Sequence, residues 1–203
     1  MTSGRFVVFE GGEGSGKSTQ AALLAKRIGA VLTRQPGGTD VGAMIREIVL
    51  AGPDLHVADR SEALLMAADR AHHVTELIRP SLEAGRDVVC DRYIGSSVAY
   101  QGYGRGLDPG EVERLSLWAV DGLRADLVVL LTVSDAVAAE RTGGARDRIE
   151  AAGAAFHQRV DAGFGAQADA EPDRWVVVDG EGSRDEVAAR VWTVVSERLG
   201  LGT

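Results

Sequence analysis

The run Phe6-Val7-Val8-Phe9-Glu10-Gly11-Gly12-Glu13-Gly14-Ser15-Gly16-Lys17-Ser18 decides the fold of this chain. Its apolar start is typical of a buried strand, and residues 11–18 fit the phosphate-binding pattern G-x-x-x-x-G-K-[ST]. The glycines let the backbone turn tightly with its N–H groups inward, and the following helix directs its positive N-terminal end at the same anion. We therefore expect Lys17 to reach the outer phosphates of a nucleotide and the Ser18 hydroxyl to contact Mg²⁺.

Composition narrows the class of protein. The chain has 203 residues, of which 45% are hydrophobic, which is enough for one substantial core, so we expect a single domain over residues 1–203. No apolar stretch approaches the roughly 20 residues of a membrane helix, and the N-terminus lacks the apolar block of a signal peptide. We expect a cytoplasmic protein without a membrane partner. The net charge of −8 argues against a nucleic-acid partner.

Apolar runs alternate with segments of helical periodicity, which is typical of βαβ units and a parallel sheet covered on both faces. The predicted strands are 5–10, 30–33, 87–91, 126–133 and 174–178. The fold class is therefore α/β with three layers. Cys90 is expected to pack in a strand, and Trp118, Trp175 and Trp192 are expected in the core. Residues 142–153, rich in Gly and Arg, are predicted to form a mobile insert.

Ligands of open α/β sheets bind at the carboxyl ends of the strands. The second strand leads into Arg34 and the third into Asp91 and Arg92, so phosphate- or metal-competent groups meet at the edge that carries the phosphate loop. Asp91 is predicted to hold Mg²⁺, through water, or to bind Lys17.

Two classes of phosphate-loop protein are excluded. A GTPase switch needs an Asn-Lys-x-Asp motif, and this chain contains no asparagine. A motor or transporter ATPase carries further domains that 203 residues do not accommodate. A small phosphotransferase remains, and it needs an acceptor pocket beside the donor pocket.

Four motifs resemble those of the thymidylate kinase family: FEGGEGSGKST at 9–19, TRQPGGT at 33–39, DRYIGSSVAYQG at 91–102 and DRIE at 147–150. The third motif is the most specific, because it is not a general feature of phosphate-loop proteins. The resemblance implies a P-loop NTPase fold with a five-stranded parallel sheet, a mobile Arg-rich lid at about 142–153 and a homodimer. It also implies transfer of the γ-phosphoryl group of ATP to dTMP, with Mg²⁺, giving dTDP. The exposed side of the helix through residues 64–78 is expected to provide dimer surface.

The resemblance assigns one group of residues to the phosphates, the metal and the sugar. ATP would be bound by Gly11, Gly12, Glu13, Gly14, Ser15, Gly16, Lys17, Ser18 and Thr19, and the metal by Ser18 and Asp91. Arg34 and Arg92 would bind the 5′-phosphate of the acceptor, where paired guanidiniums fix the attacking oxygen. Glu13 would accept from the sugar 3′-hydroxyl.

The resemblance also assigns the base pocket. Arg70, Ser97 and Gln101 look like the family's thymine contacts, since a planar Arg and an amide satisfy the carbonyl and imide groups of a pyrimidine. Tyr100 would pack against the deoxyribose, and Arg46 would approach the methyl-bearing edge. Met66 stands where the family commonly places a phenylalanine on the base, and it covers the base face by dispersion.

The catalytic residues implied are Lys17, Arg92, Arg146 and Arg148. An arginine that a closing lid delivers stabilises charge on the γ-phosphoryl oxygens. Some family members carry this basic residue in the phosphate loop, but Gly14 and Ser15 occupy those positions here, so the arginine is expected from the lid. Arg141 is a third basic residue of that region.

One departure keeps alternatives open. Gln35 replaces the glutamate of the family's usual Arg-Glu-Pro-Gly-Gly-Thr, which removes a carboxylate expected near the reacting phosphates. The alternatives are a kinase for another pyrimidine nucleotide or nucleoside, and an ATP-binding regulatory module without transfer activity.

Overall fold

Five strands form one parallel sheet in the computed structural model, which describes residues 3–52, 54–143 and 147–201. The strands are β1 (Phe6–Glu10), β2 (Val31–Arg34), β3 (Val88–Asp91), β4 (Leu127–Thr132) and β5 (Trp175–Asp179). Their order across the sheet is β2-β3-β1-β4-β5. All five predicted strands are confirmed, each end to within one residue.

Helices connect and cover the strands. The α-helices are α1 (Lys17–Ile28), α2 (Asp40–Val49), α3 (Asp59–His73), α4 (Arg79–Glu83), α5 (Ile94–Ser97), α6 (Pro109–Ala119), α7 (Asp135–Arg141), α8 (Ala154–Ala170) and α9 (Arg184–Leu199). A π-helical turn, Val74–Ile78, joins α3 to α4, and a second, Val98–Gly104, extends α5. Gly29 and Gly200 end α1 and α9 in the left-handed conformation, as expected of helix-stopping glycines.

The sheet is buried on both faces. Every residue of β1 is buried, because successive side chains alternate between two separate apolar cores. One core lies between the sheet and the helices α1 and α9. The other lies between the sheet and the remaining large helices, and α8 contributes Phe156, Val160 and Phe164 to it. The three-layer α/β architecture predicted from the sequence is confirmed.

The strand register brings the expected residues to one edge. Phe9 of β1 lies opposite Asp91 of β3, and Asp91 lies opposite Arg34 of β2. The phosphate loop leaves β1 one residue later, after Glu10. The carboxyl ends of the three neighbouring strands therefore meet where the loop begins.

One of the three tryptophans departs from the expectation of a core position. Trp175 is buried and Trp192 packs partly buried against the α1 and α9 core, but Trp118 is 81% exposed. It lies on α6, whose buried residues are Val112 and Ser116, one turn apart. At about 100° per residue, Trp118 points roughly 200° away from Ser116, so it faces away from the buried side of the helix.

Cys90 is a buried residue of β3, as predicted. Its Sγ donates to the carbonyl of Arg92 at 3.1 Å, and burial raises the pKa of the thiol well above its ordinary value. Among the described residues, no helix combines the length and apolar character that crossing a membrane requires.

Candidate active site

An open cavity of about 200 Å³ lies at the carboxyl ends of β1, β2 and β3. Most of the site residues that the sequence predicted line it. They are Glu13, Lys17, Ser18, Arg34, Arg46, Met66, Arg70, Asp91, Arg92, Ser97, Tyr100 and Gln101. The structure therefore joins the phosphate loop and the predicted acceptor residues in one space.

The phosphate loop has the backbone that its glycines permit. Gly11, Gly14 and Gly16 have φ of 139°, 71° and 87°, values that residues with a side chain rarely adopt. The helix α1 begins at Lys17, and its N-terminus has no side-chain cap, so its N–H groups are free for an anion. The Lys17 ammonium donates to the carbonyl of Gly12 at 2.6 Å and to the Ser15 hydroxyl at 3.3 Å. Burial lowers the pKa of Lys17 to about 8.

Asp91 offers one free oxygen next to the loop. The Ser18 hydroxyl donates to Asp91 Oδ2 at 2.5 Å. The other oxygen, Oδ1, is buried and has no hydrogen-bond partner among the described residues. A carboxylate with an unpartnered oxygen, beside a hydroxyl, is the hard oxygen donor set that Mg²⁺ prefers.

Arg92 is held in place from three sides. Its backbone has a φ of 68°, which is unusual for a residue with a side chain. The guanidinium donates to the Gly11 carbonyl and the Ser96 hydroxyl, both at 3.1 Å, and forms an ion pair with Glu13. It also lies over the Tyr100 ring at 5.1 Å. Burial raises the pKa of Glu13, but the charges of Arg92 and Lys17 and a hydrogen bond from Tyr100 together outweigh this effect and hold the pKa below its ordinary value.

Two further arginines lie at the same end of the cavity. Arg34 is exposed at the end of β2, and Arg46 of α2 donates to the Pro36 carbonyl at 3.0 Å. Burial, and after it the charge of Arg34, lowers the pKa of Arg46. Like charges held this close favour an anion between or beside them.

Arg70 forms the opposite end of the cavity, and all its nitrogens are engaged. Nε donates to Gln35 at 3.1 Å, and one terminal nitrogen donates to Ser116 at 3.1 Å. The other donates to Ser97 at 2.7 Å and to the Tyr93 carbonyl at 3.2 Å. The guanidinium is thus a fixed element of the pocket wall, 2% exposed as a residue, and its contact with a base stays a prediction.

Gln35 takes a place that the sequence did not indicate. Its side chain is buried and bridges two residues of α3, since it accepts from Arg70 while its amide nitrogen lies 2.9 Å from His73 Nδ1. His73 Nε2 lies 2.7 Å from the Thr33 hydroxyl. Burial lowers the pKa of His73 to about 4, so the ring is neutral at pH 7.

Glu62 is a residue of the site region to which the sequence analysis gave no role. Glu62 is 0% exposed and accepts from the Gln101 amide at 2.8 Å. The sequence feature that points to Glu62 is its spacing. Glu62, Met66 and Arg70 follow one another at four-residue intervals, which places them along one stripe of α3. Because Met66 is expected to cover the base, this spacing places Glu62 on the side of α3 that faces the site.

The arginines after β4 lie in different places. Arg148 donates to Glu62 at 2.6 Å and to the Val49 carbonyl at 3.0 Å, so its guanidinium is directed at α3 and not at the phosphate loop. Arg141 donates to the carbonyls of Gly180 and Gly182 beyond β5, at 3.0 and 3.1 Å, and to the carbonyl of Gly14 in the phosphate loop at 3.4 Å. Arg146 lies outside the described residues. Asp147, Ile149 and Glu150 line the cavity, so this part of the predicted lid adjoins the site.

Comparisons with known proteins agree on one family. A family model described as thymidylate kinase matches residues 9–191. A thymidylate kinase of Leifsonia xyli subsp. xyli is 54% identical over 196 residues, which cover 93% of this chain and 92% of that protein. One of Clavibacter michiganensis subsp. michiganensis is 50% identical over 208 residues, covering 98% of each. The crystal structure of thymidylate kinase from Ehrlichia chaffeensis superposes with a TM-score of 0.80 at 31% identity, over 95% of this chain and 99% of that one.

Proposed function

Since the chain belongs to the thymidylate kinase family, we infer that it transfers the γ-phosphoryl group of ATP to dTMP and forms dTDP. The observation that carries this function is the shared cavity, which has the phosphate loop at one end and the Arg70 pocket wall at the other. Phosphoryl transfer requires little covalent chemistry from a protein. It requires two anionic substrates to be held in line with their charge compensated.

The donor half of the site is the phosphate loop. Its inward N–H groups, the N-terminus of α1 and the ammonium of Lys17 would bind the ATP phosphates. Lys17 at present donates to Gly12 and Ser15, and phosphate oxygens would replace these neutral acceptors. Asp91 and Ser18 would hold Mg²⁺, and Asp91 Oδ1 is the buried oxygen that lacks a partner. The ion would neutralise charge on the β- and γ-phosphates.

The acceptor half begins with the arginines at the strand ends. We propose that Arg34 and Arg92 bind the 5′-phosphate of dTMP, so that two guanidiniums offset the repulsion between the approaching anions. Glu13, which is paired with Arg92, would accept from the sugar 3′-hydroxyl. Tyr100 would pack on the deoxyribose from its place over the Arg92 guanidinium.

The base would occupy the far end of the cavity. Arg70, Ser97 and Gln101 would contact its polar edge and Met66 its face. Arg46, which lies beside Arg34, would approach the methyl-bearing edge from the phosphate end. For the transition state we propose an arginine of the predicted lid, Arg146 or Arg148. Arg148 would have to leave Glu62 to act there.

We further propose that the protein is a homodimer that associates through α2, α3 and α6. These helices pack on one another in that order and expose large apolar side chains, namely Met44, Leu64 and Trp118. Exposed apolar surface on neighbouring elements is typical of a protein contact. A cytoplasmic location and a single domain over residues 1–203 stay predictions from the sequence.

The activity is tested by measuring ADP formation with ATP, Mg²⁺ and a panel of nucleoside monophosphates. We expect the highest kcat/KM with dTMP, and a clear preference for another acceptor would contradict the assignment. Lys17→Ala should abolish transfer while circular dichroism shows a folded protein. Lys26→Ala is the matched control, because Lys26 is the only other lysine of the chain and is exposed on α1. Its turnover should equal that of the unmodified protein.

A further inference from the structure

Glu62 is a buried carboxylate that three side chains share. It is 0% exposed on α3. Gln101 donates to its Oε1 at 2.8 Å, Arg105 donates to its Oε2 at 3.1 Å, and Arg148 donates to its Oε2 at 2.6 Å. Burying an ionised carboxylate costs free energy unless charged and hydrogen-bonding partners compensate it, as they do here. One of its partners, Gln101, lines the cavity.

We propose that Glu62 is a positioning residue that fixes the orientation of the Gln101 amide and thereby makes the site select an imide base, with an N3–H donor, over cytosine. This proposal rests on the function proposed above. It assigns base discrimination to a residue that does not itself line the cavity.

The argument starts from the donor inventory of the two side chains. An ionised carboxylate only accepts hydrogen bonds, so the Gln101 end that faces Glu62 must be its NH₂ group. Burial raises the pKa of Glu62, but the hydrogen bonds from Gln101, Arg105 and Arg148, together with the charge of Arg105, outweigh this effect and hold the pKa below its ordinary value. The carboxylate is therefore ionised at neutral pH. The orientation of the amide follows from this chemistry alone.

The other end of the amide then determines what the site accepts. Gln101 Oε1 receives no hydrogen bond from any residue that the structure describes, and Gln101 lines the cavity. An oxygen presented there accepts the N3–H of thymine or uracil. Cytosine carries an unprotonated acceptor at N3, so two acceptors would face each other. A buried polar group left without its partner rejects the wrong ligand far more strongly than a missing methyl group does.

The two arginines explain why Glu62 keeps its charge. Arg105 and Arg148 both contact it, and Arg105 also lies over the Phe156 ring at 4.7 Å, which holds the guanidinium in place. A neutral, protonated carboxyl could donate a hydrogen bond and let the amide turn around. Two adjacent cations prevent protonation and therefore keep Gln101 in one orientation.

The test compares kcat/KM for dTMP and dCMP in the unmodified protein and in Glu62→Gln. The substituted amide can offer either an oxygen or an NH₂ group to Gln101, so the orientation is no longer imposed. We expect the dTMP-to-dCMP ratio to fall about tenfold or more, mainly through a higher KM for dTMP. A folded Glu62→Gln protein with an unchanged ratio would overturn the proposal.

Arg105→Met is the control, because it removes one cation from Glu62 but leaves Arg148, which is enough to keep the carboxylate ionised, and the bond to Gln101. It should lower stability without changing the ratio. If Glu62→Gln alone does not fold, the double variant with Arg105→Met, which removes one of the two stranded cations, is compared with Arg105→Met. Without any variant, N3-methyl-dTMP should bind the unmodified protein about tenfold more weakly than dTMP, and equal affinity would also overturn the proposal. Absence of dTMP turnover in the unmodified protein would instead contradict the proposed function.

Discussion

Lys17 shows how one residue is prepared for its ligand. Its ammonium is buried and hydrogen-bonded to two neutral oxygens, those of Gly12 and Ser15. Because these contacts do not compensate the loss of water, the pKa falls to about 8. Phosphate oxygens would supply the missing negative charge. Binding of ATP should therefore raise this pKa, and by linkage ATP should bind the protonated form more tightly.

The lowered pKa of Lys17 determines how the affinity for ATP depends on pH. Below about pH 8 Lys17 is charged, and ATP affinity should be constant. Above it, each ATP molecule must bind with uptake of a proton, so the Kd should rise by about tenfold between pH 7 and pH 9. Titration calorimetry in buffers of different ionisation enthalpy measures both the Kd and the proton uptake. Lys17→Ala should bind weakly at all pH values, with no proton uptake. An unchanged Kd up to pH 9 in the unmodified protein would contradict the assignment.

Gln35 shows where residue-level prediction reached its limit. The family resemblance implied that a carboxylate is missing near the phosphates, because Gln35 replaces the family's glutamate. Successive side chains of an extended segment point to opposite sides. Arg34 is accordingly exposed at the phosphate end, whereas Gln35 is buried against Arg70 and His73. The types of residue at the site were predictable, but the hydrogen bonds between them depend on helices that are distant in sequence.

At the scale of elements, the turn after β2 is fitted closely to α3. Gly37 donates its N–H to Asp69 of α3 at 3.0 Å, and Gly38 lies against His73. A Cβ on Gly38 would lie 2.4 Å from His73 Nε2 and 2.7 Å from the Arg34 carbonyl oxygen. The absence of a side chain at Gly38 therefore sets the distance between the turn and the helix that carries Arg70.

Gly38→Ala should lower the free energy of unfolding by about 1–3 kcal/mol, because the added methyl group overpacks this contact. It should also raise the KM for dTMP, since α3 cannot shift without moving Arg70. Urea denaturation and steady-state kinetics measure the two effects. Gly52→Ala is the matched control, as a Cβ there meets nothing within 4 Å. Its stability should change by no more than about 0.5 kcal/mol. Equal effects of both substitutions would contradict the packing argument.

The elements themselves were the most predictable level of this molecule. Short continuous apolar runs such as Leu127–Leu131, rich in Val and bounded by polar residues, favour a buried strand, and glycines end α1 and α9. Periodicity did not reveal which helix faces lie against the sheet. Trp118 illustrates this, because its apolar character predicted burial while its angular position on α6 places it in solvent.

At the scale of the whole molecule, the exposed apolar residues are unevenly distributed. Met44, Leu64 and Trp118 are 67%, 58% and 81% exposed, and they lie on helices that pack side by side. A monomer would leave these three large apolar side chains, carried by adjacent helices, in water. The proposed homodimer would bury them, at a gain of roughly 25 cal/mol per Å² removed from water.

Trp118→Glu should therefore convert the dimer to a monomer at micromolar concentration, because a charge would be buried in the contact without a partner. Sedimentation velocity measures the change in mass. Val177→Glu is the control, as Val177 is 56% exposed on the edge strand β5 and belongs to none of the three helices. It should stay dimeric. A monomeric unmodified protein, or a dimeric Trp118→Glu variant, would show that the contact lies elsewhere.

Cys90, the only cysteine of the chain, can be used to measure how often the folded protein opens. Cys90 is inaccessible in β3, and its raised pKa keeps the thiolate scarce, so alkylating reagents meet it only after the sheet has opened. The rate of modification of this one sulfur atom then reports how often the centre of the molecule opens. Because Cys90 does not react in the folded protein, a cysteine introduced in place of exposed Glu140, just before the predicted lid, would take a fluorophore without background labelling.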